Sequence, residues 1–209
     1  MMGVCYIFGA SECNELFSRP SDGDLVIAAD GGYATATRFG ITPDLLLGDF
    51  DSLGALPEGI KTRTYPVEKD DTDMGLAIAE GLARGYTEFY IYGGLGGNRP
   101  DHSFANYQLL SSLASRGARA VLFGTHQSVS ALTCGVLTLY GGTGDGFSVF
   151  AVGGDATVSI SGAKYPLSQK RLSADFPLGV SNAVEGECAR ITVHSGTALV
   201  FFDKSLKFS

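Results

Sequence analysis

The sequence predicts an α/β chain in which a mainly parallel α/β catalytic domain is followed by an all-β, sandwich-like domain. Up to about residue 124, near-continuous apolar runs alternate with helical patterns, which is typical of parallel strands buried on both faces. Helical periodicity then disappears, and short β-like runs are separated by Gly, Asp and Ser. No Pro/Ser-rich tract separates the two parts, so we predict domains at residues 1–124 and 125–209.

Strands and helices alternate in the first part, as they do in βαβ units. Short apolar runs predict buried strands at residues 4–8, 24–29, 45–47, 88–92 and 120–123. A glycine, which is typical of a helix end, follows each of three predicted helices at residues 33–39, 72–84 and 102–116. The spacing of apolar residues in the two longer helices predicts that one face of each is buried.

The second part contains only short β-like runs. They predict six strands, at residues 128–132, 135–140, 147–152, 156–160, 189–194 and 197–202. Strands of this length and spacing are typical of a sandwich or small barrel. The glycine-rich tract at residues 141–146 lies between two of these runs and is interpreted as a hairpin turn.

Charge and composition exclude several classes of protein. The 22 acidic residues outnumber the 15 basic ones, and the net charge of -7 disfavours binding to nucleic-acid backbones. No apolar run is long enough to span a membrane, and residues 1–10 lack the basic start of a signal peptide. We therefore expect a cytoplasmic protein without a membrane anchor. The scattered cysteines and histidines do not have the spacing of a zinc site.

Acidic residues follow two predicted strands, at the edge where an open parallel sheet binds its ligands. Asp30 precedes Gly31 and Gly32, whose flexibility would let backbone N–H groups approach a phosphate. A glycine turn with Asp30 as a helix cap explains the same tripeptide equally well. Asp49 and Asp51 follow the next strand, and carboxylates two residues apart can reach one Mg²⁺. The alternative there is a simple acidic turn.

The start of the second helix is also acidic, with the sequence Lys69-Asp70-Asp71-Thr72-Asp73. Acids at a helix start suit its dipole, and that is the structural alternative. Three carboxylates in four residues exceed what a cap needs, however, and Lys69 is available to pair with a phosphate. This segment is therefore a second candidate for a phosphate and metal site.

A glycine loop, Gly93-Gly94-Leu95-Gly96-Gly97, connects a predicted strand to the third helix. Four glycines in five residues lose much conformational entropy on ordering, which favours a close approach of the backbone to a phosphate. Arg99 can bind a phosphate through two hydrogen bonds. Asp101 can cap the helix or accept from a substrate amine, and His102 fits a capping or packing role equally well.

Taken in order, these motifs resemble the thiamine pyrophosphokinase family over essentially the whole chain. The motifs that carry the resemblance lie in residues 29–32, 43–44, 48–52, 71–73, 93–97 with 99 and 101–102, 106, 162–167 and 179–182. The chain departs from the family pattern at Ala34, where Asn is frequent, and at Pro100, where Phe is usual. It also has no Trp, the aromatic residue that some members stack on thiamine.

The resemblance implies an α/β catalytic domain, a C-terminal β-sandwich, and a homodimer with thiamine pockets between its subunits. It implies transfer of a diphosphate from Mg²⁺-bound ATP to thiamine, which releases AMP. The catalytic residues would be Asp49, Asp51 and Asp73, which with Asp70 would also hold the metal. The ATP and phosphate site would comprise Asp30, Gly31, Gly32, Ser52, Lys69, Thr72, Gly93, Gly94, Gly96, Gly97, Arg99 and His102. Thiamine would be bound by Asp101, Ser181 and Asn182.

Three other functions compete with this interpretation. The strand that leads into Asp49 and Asp51 also resembles the nucleophile motif of haloacid-dehalogenase-like phosphatases. That motif normally lies on the first strand, however, and has Thr where this chain has Leu53. A sugar-nucleotide transferase that uses Asp-x-Asp would leave the glycine loop unexplained. A non-catalytic nucleotide sensor would bind the ligand without turnover.

Overall fold

The computed structural model describes residues 3–48, 59–64 and 71–209. The chain divides into two compact units, the first of residues 1–106 and 122–125 and the second of residues 107–121 and 126–209. The first unit contains a parallel sheet, and the strands of the second unit from residue 127 onward pair antiparallel, so the predicted α/β fold class with a β-rich second part is confirmed. The domain boundary after residue 124 stays a prediction.

The sheet of the first unit is parallel in every pairing that joins its first five strands. Strand β1 pairs with β2 and β5, β2 pairs with β3, and β3 pairs with β4. These strands are β1 (Cys5–Phe8), β2 (Leu25–Ala29), β3 (Leu45–Gly48), β4 (Lys61–Thr64) and β5 (Glu88–Tyr92), and β6 follows at Arg119–Phe123. Every residue of β1, β2 and β3 is buried, as the continuous apolar runs predict.

Three helices lie at α1 (Gly32–Arg38), α2 (Asp73–Ala83) and α3 (Pro100–Ser115). Helix α2 begins where Thr72 caps it, since the Thr72 hydroxyl accepts a hydrogen bond from the backbone N–H of Gly75. It packs on β1, β2 and β3 through a face that includes Met74, Ala77 and Gly81. At Gly81 the helix comes close to the sheet, because a Cβ there would lie 2.9 Å from the sulfur of Cys5.

One face of the first sheet is aromatic. The ring of Tyr92 stacks on the ring of Phe123 at 4.7 Å between centroids, and Phe17 stacks on Phe123 from the segment after β1. The hydroxyl of Tyr6 hydrogen-bonds to the hydroxyl of Ser18 at 2.8 Å, and the hydroxyl of Tyr92 accepts from the Ser18 backbone. Burial raises the pKa of Tyr92. The segment after β1 is therefore held against the sheet by stacking and by hydrogen bonds.

The second unit is organised around one long strand, β12. One edge of β12 pairs with β9, and its other edge pairs with β8 along Cys188–Thr192 and with β7 along Thr197–Asp203. The strands of this unit are β7 (Gln127–Thr133), β8 (Val136–Tyr140), β9 (Gly146–Ser161), β10 (Leu167–Leu172), β11 (Asn182–Ala183), β12 (Cys188–Asp203) and β13 (Lys207–Phe208). All pairings among them are antiparallel, which agrees with the sandwich-like class that the sequence predicts.

Two pairs of predicted strands are single strands in the structure. The predicted strands at 147–152 and 156–160 form β9, and those at 189–194 and 197–202 form β12. The separating residues, such as Gly153 and Gly196, have positive φ and favour turns locally. Pairing continues across them with register shifts between Val193 and Thr197, so bulges absorb the extra residues.

The glycine tract at 141–146 is not a hairpin turn, which corrects the prediction. Strand β8 pairs with β12 and β13, whereas β9 pairs with β10, β11 and β12, so the tract joins strands on opposite edges of β12.

The sequence-based prediction also missed strands β4 and β10, which are mostly polar and exposed and lack apolar alternation. Among the helices that the structure describes, none has the length and apolar character needed to cross a bilayer.

Candidate active site

A cavity of about 550 Å³ lies at the carboxyl edge of the first unit's parallel sheet. Its walls come from the loops after β1, β2 and β5 and from the first turns of α2 and α3. This is the edge where open parallel sheets bind ligands. Nine of the residues that the sequence proposes for the site line it, namely Asp30, Thr72, Asp73, Gly93, Gly94, Gly96, Gly97, Arg99 and His102.

The floor of the cavity is a close crossing of two backbones at Gly9 and Gly93. The N–H of Gly9 donates to the carbonyl of Tyr92 at 2.8 Å, and the N–H of Ser11 donates to the carbonyl of Gly93 at 2.9 Å. Gly93 has φ +65, and a Cβ on it would overlap the carbonyl oxygen of Gly9. Only glycine fits this crossing, because a side chain on either residue would force the two strand ends apart.

The glycine loop is held in place from α3. The buried side-chain amide of Asn106 donates to the carbonyl of Gly94 at 2.7 Å. The hydroxyl of Ser103 accepts from the N–H of Gly96 at 3.1 Å. Gly96 and Gly97 are exposed and have positive φ, so their backbone is open to the cavity. The helix therefore fixes the loop at two points and leaves its tip accessible to a ligand.

The Asn106 hydrogen bond predicts a stability difference between two asparagines that both line the cavity. Asn106→Ala is expected to lower the free energy of unfolding by about 1–3 kcal/mol, because it leaves the buried carbonyl of Gly94 without its donor. Asn98→Ala is the matched control, since Asn98 is exposed and its loss is expected to cost less than about 0.5 kcal/mol. Urea unfolding measures both, and equal losses would contradict the role of Asn106.

The first turn of α2 and the residues just before it contribute polar groups to the cavity wall. Thr72 caps the helix, and Asp71 accepts a hydrogen bond from the backbone N–H of Thr72 at 2.8 Å. Asp73 is the first residue of the helix and is half-buried in the cavity wall. Because Thr72 makes the capping hydrogen bond, the carboxylate of Asp73 is not needed for that role.

Asp30 reaches the cavity from a left-handed backbone conformation with φ +48. Its N–H donates to the carbonyl of Leu47 at 2.7 Å, which ties it to the neighbouring strand β3. A non-glycine residue with this φ is strained, and such residues cluster at functional sites.

The structure describes Gly31 and Gly32, but neither residue lines the cavity. A Cβ on Gly32 would overlap the carbonyl oxygen of Phe8, so this glycine lets α1 pack closely against the end of β1. Helix α1 has only seven residues and begins at Gly32. A packing role explains the paired glycines without a ligand, and their phosphate-binding role stays a prediction.

Arg99 and Asp101 form an ion pair with two-pronged geometry. Nη2 of Arg99 donates to Oδ2 of Asp101 at 2.8 Å, and Nε donates to Oδ1 at 3.1 Å. The hydrogen bonds from the Arg99 guanidinium lower the pKa of Asp101 to about 2, and the same contact raises the pKa of Arg99. Arg99 lines the cavity, so the guanidinium that the sequence assigns to phosphate is held by a carboxylate.

In the second unit, the side chain of Asn182 makes two hydrogen bonds with the backbone of Tyr165. Its side chain accepts from the N–H of Tyr165 at 3.0 Å and donates to the carbonyl of Tyr165 at 2.9 Å. Ser181 has φ +59, and its N–H donates to the hydroxyl of Ser148 at 3.0 Å. The buried Asn182 therefore fixes the segment that carries the exposed Ser181.

Several predicted site residues lie outside the described residues. These are Asp49, Asp51, Ser52, Lys69 and Asp70.

The described part of the cavity contains carboxylate oxygens, which are ligands that suit a magnesium ion. Within residues 3–48, 59–64 and 71–209, no three His, Cys, Asp or Glu side chains converge on one point. Asp30 and Asp73 nevertheless place carboxylates in the wall, and Mg²⁺ takes one or two carboxylates together with substrate phosphates. The chemistry of the donors therefore fits this metal.

The loop after β1 is a part of the site that the sequence-based prediction missed. Gly9, Ala10 and Ser11 line the cavity, and so does Asn98. The rule that locates the other loops applies to β1 as well, because Gly9 to Ser11 follow the carboxyl end of that strand. These residues carry no charge, so only their position could have identified them.

Comparisons with known proteins match both parts of the chain. A family described as "Thiamin pyrophosphokinase, catalytic domain" matches residues 20–122, and one described as "Thiamin pyrophosphokinase, vitamin B1 binding domain" matches residues 135–198. A curated relative, the thiamine pyrophosphokinase of Bacillus subtilis (strain 168), is 27% identical in an alignment that covers 76% of this chain and 77% of the relative.

Solved structures are similar in fold. The crystal structure of thiamine pyrophosphokinase from Bacillus subtilis has a TM-score of 0.86 at 21% identity and covers 96% of this chain and 99% of its own. The protein from Geobacillus thermodenitrificans has a TM-score of 0.82 at 22% identity, with 97% and 98% covered. Thiamin pyrophosphokinase from Candida albicans has a TM-score of 0.76 at 14% identity, with 96% and 89% covered.

Proposed function

Because the chain belongs to the thiamin pyrophosphokinase family, we propose that it is the enzyme that forms thiamine diphosphate by transferring a diphosphate from Mg²⁺-bound ATP to the thiamine hydroxyl. The thiamine hydroxyl oxygen attacks the β-phosphorus and gives up its proton to the solvent. The bond between the β-phosphorus and the α,β-bridging oxygen breaks, and AMP leaves with that oxygen. The single observation that carries this proposal is the cavity that combines the glycine loop, Arg99 and the first turn of α2 at one sheet edge.

The residues around the cavity act mainly by positioning and by neutralising charge, which is what phosphoryl transfer requires of a protein. We assign the backbone of the glycine loop at Gly93, Gly94, Gly96 and Gly97 and the guanidinium of Arg99 to the ATP phosphates. Asp30, Thr72 and His102 complete the nucleotide wall. The resemblance to the family is the only support for including four further residues in the proposed phosphate site, namely Gly31, Gly32, Ser52 and Lys69.

We assign the metal to Asp73 together with Asp49, Asp51 and Asp70, and we take it to be Mg²⁺. Support comes from the carboxylates in the cavity wall and from the preference of this ion for carboxylate and phosphate oxygens. When bound, the ion neutralises phosphate charge. The protein's own part is to hold the carboxylates at the sheet edge.

Thiamine is assigned to Asp101, Ser181 and Asn182, with Asn182 acting through the backbone of the Ser181 segment.

We also propose a cytoplasmic homodimer with active sites between its subunits. Light scattering of the purified protein tests the dimer, since a monomer at assay concentrations would contradict it.

The first test of the function is product analysis. The purified protein is incubated with thiamine, ATP and Mg²⁺, with a metal-free control, and nucleotides and thiamine esters are separated by chromatography. We expect equal amounts of thiamine diphosphate and AMP, and no product without metal. ADP with thiamine monophosphate would overturn attack at the β-phosphorus. Phosphate release without thiamine would point to a phosphatase, and nucleotide binding without turnover to a sensor.

A further inference from the structure

We propose that the ion pair between Arg99 and Asp101 is a self-inhibitory contact, in which Asp101 occupies the guanidinium until a nucleotide phosphate displaces it. The inference rests on the proposed function, because it takes the ligand of the cavity to be a nucleotide polyphosphate. It assigns to Asp101 a second role, as an internal competitor for the phosphate site.

The geometry of the pair supports competition. Nη2 of Arg99 donates to Oδ2 of Asp101 at 2.8 Å, and Nε donates to Oδ1 at 3.1 Å and to Oδ2 at 3.3 Å. A phosphate presents its oxygens to a guanidinium in the same two-pronged way. A phosphate and the Asp101 carboxylate therefore need the same donors on Arg99 and cannot both use them.

The ion pair between Arg99 and Asp101 is weak enough to be broken when a ligand binds. The two side chains are 64% and 62% exposed, and ion pairs at such exposure contribute little to stability. A polyphosphate carries more charge than one carboxylate and meets the glycine loop as well, so it outcompetes Asp101. Arg99 immediately precedes α3 and Asp101 is its second residue, so side-chain rotation is enough to separate them.

Protonation does not open the contact. Because the guanidinium lowers the pKa of Asp101 to about 2, the carboxylate stays charged throughout the neutral range. Ligand binding is then the event that separates the pair. The carboxylate of Asp101 that is released in this way becomes available to thiamine, the cationic second substrate. By thermodynamic linkage, each substrate then raises the affinity of the protein for the other by the same factor.

The test is a double-mutant cycle on nucleotide affinity, measured by calorimetry with Mg²⁺ and α,β-methylene-ATP, whose α–β bridge resists cleavage. Asp101→Asn is expected to bind the analogue about two- to five-fold more tightly than the unaltered protein. Asp22→Asn is the matched control, since it makes the same charge change at an exposed residue before β2, and its affinity should not change.

Arg99→Gln distinguishes competition for the guanidinium from general repulsion. In the Arg99→Gln background, Asp101→Asn should give no tighter binding, because there is no guanidinium left to release. Saturating thiamine should tighten analogue binding in the unaltered protein and not in Arg99→Gln. Equal tightening by Asp101→Asn in both backgrounds would overturn the inference, as would no tightening at all. If the unaltered protein binds no analogue, the proposed function fails as well.

Discussion

Asp73→Asn is expected to lower turnover about 10²- to 10³-fold, the loss that follows when one preorganised charged or polar group is removed from a transition state. The half-buried carboxylate of Asp73 lies in the cavity wall at the start of α2. The amide keeps the shape of the side chain and removes only its charge. Steady-state kinetics with saturating ATP, thiamine and Mg²⁺ measures the effect.

The same variant should fold normally, because Thr72 and not Asp73 caps the helix. Loss of a favourable charge in the first turn is expected to cost less than about 1 kcal/mol of unfolding free energy. Asp22→Asn, with the same change at an exposed site, should keep full turnover. Turnover of Asp73→Asn within five-fold of the unaltered enzyme would remove Asp73 from the catalytic set.

Gly93→Ala is expected to lower the free energy of unfolding by about 3 kcal/mol or more. About 1–2 kcal/mol comes from placing an alanine at φ +65, and the rest from overlap of its Cβ with the backbone of Gly9 and close contact with Ser11. The neighbouring atoms are backbone and cannot turn away. Urea unfolding gives the loss, and nucleotide affinity should fall with it because the cavity floor is displaced.

Gly96→Ala is the matched control within the same loop. Gly96 has φ +79, but a Cβ there would meet nothing within 4 Å. This substitution should therefore cost only the conformational strain, about 1–2 kcal/mol. If the two alanine variants lose the same stability, the crossing of Gly9 and Gly93 is not the constraint that we describe.

The shared position of the glycine loop and the start of α2 at one cavity could be predicted because strand ends in a parallel sheet meet at one edge. Apolar runs located the strands, and the glycines and acids after them located the loop at Gly93 and the helix start at Thr72. Gly9 to Ser11 follow the same rule but carry no charge, so residue type gave no signal. The metal-site prediction at Asp49 and Asp51 lies outside the described residues and stays a prediction.

Other features depend on tertiary structure and have no local signal. Ser195 and Gly196 favour a turn, yet β12 continues through them because partner strands pair on both sides of the break. The contact of Arg99 with Asp101 is also hidden, since residues two apart on a helix do not face each other. It forms because Arg99 stands just before the helix begins.

The position of β12 has a consequence for folding during synthesis. This strand joins β7, β8 and β9, yet the ribosome makes it after all three. The sheet of the second unit therefore closes late, through contacts between residues far apart in sequence, which slows folding. Until β12 emerges, the strand edges that it will cover remain open to wrong partners, and we expect this interval to be the most aggregation-prone step in the life of the chain.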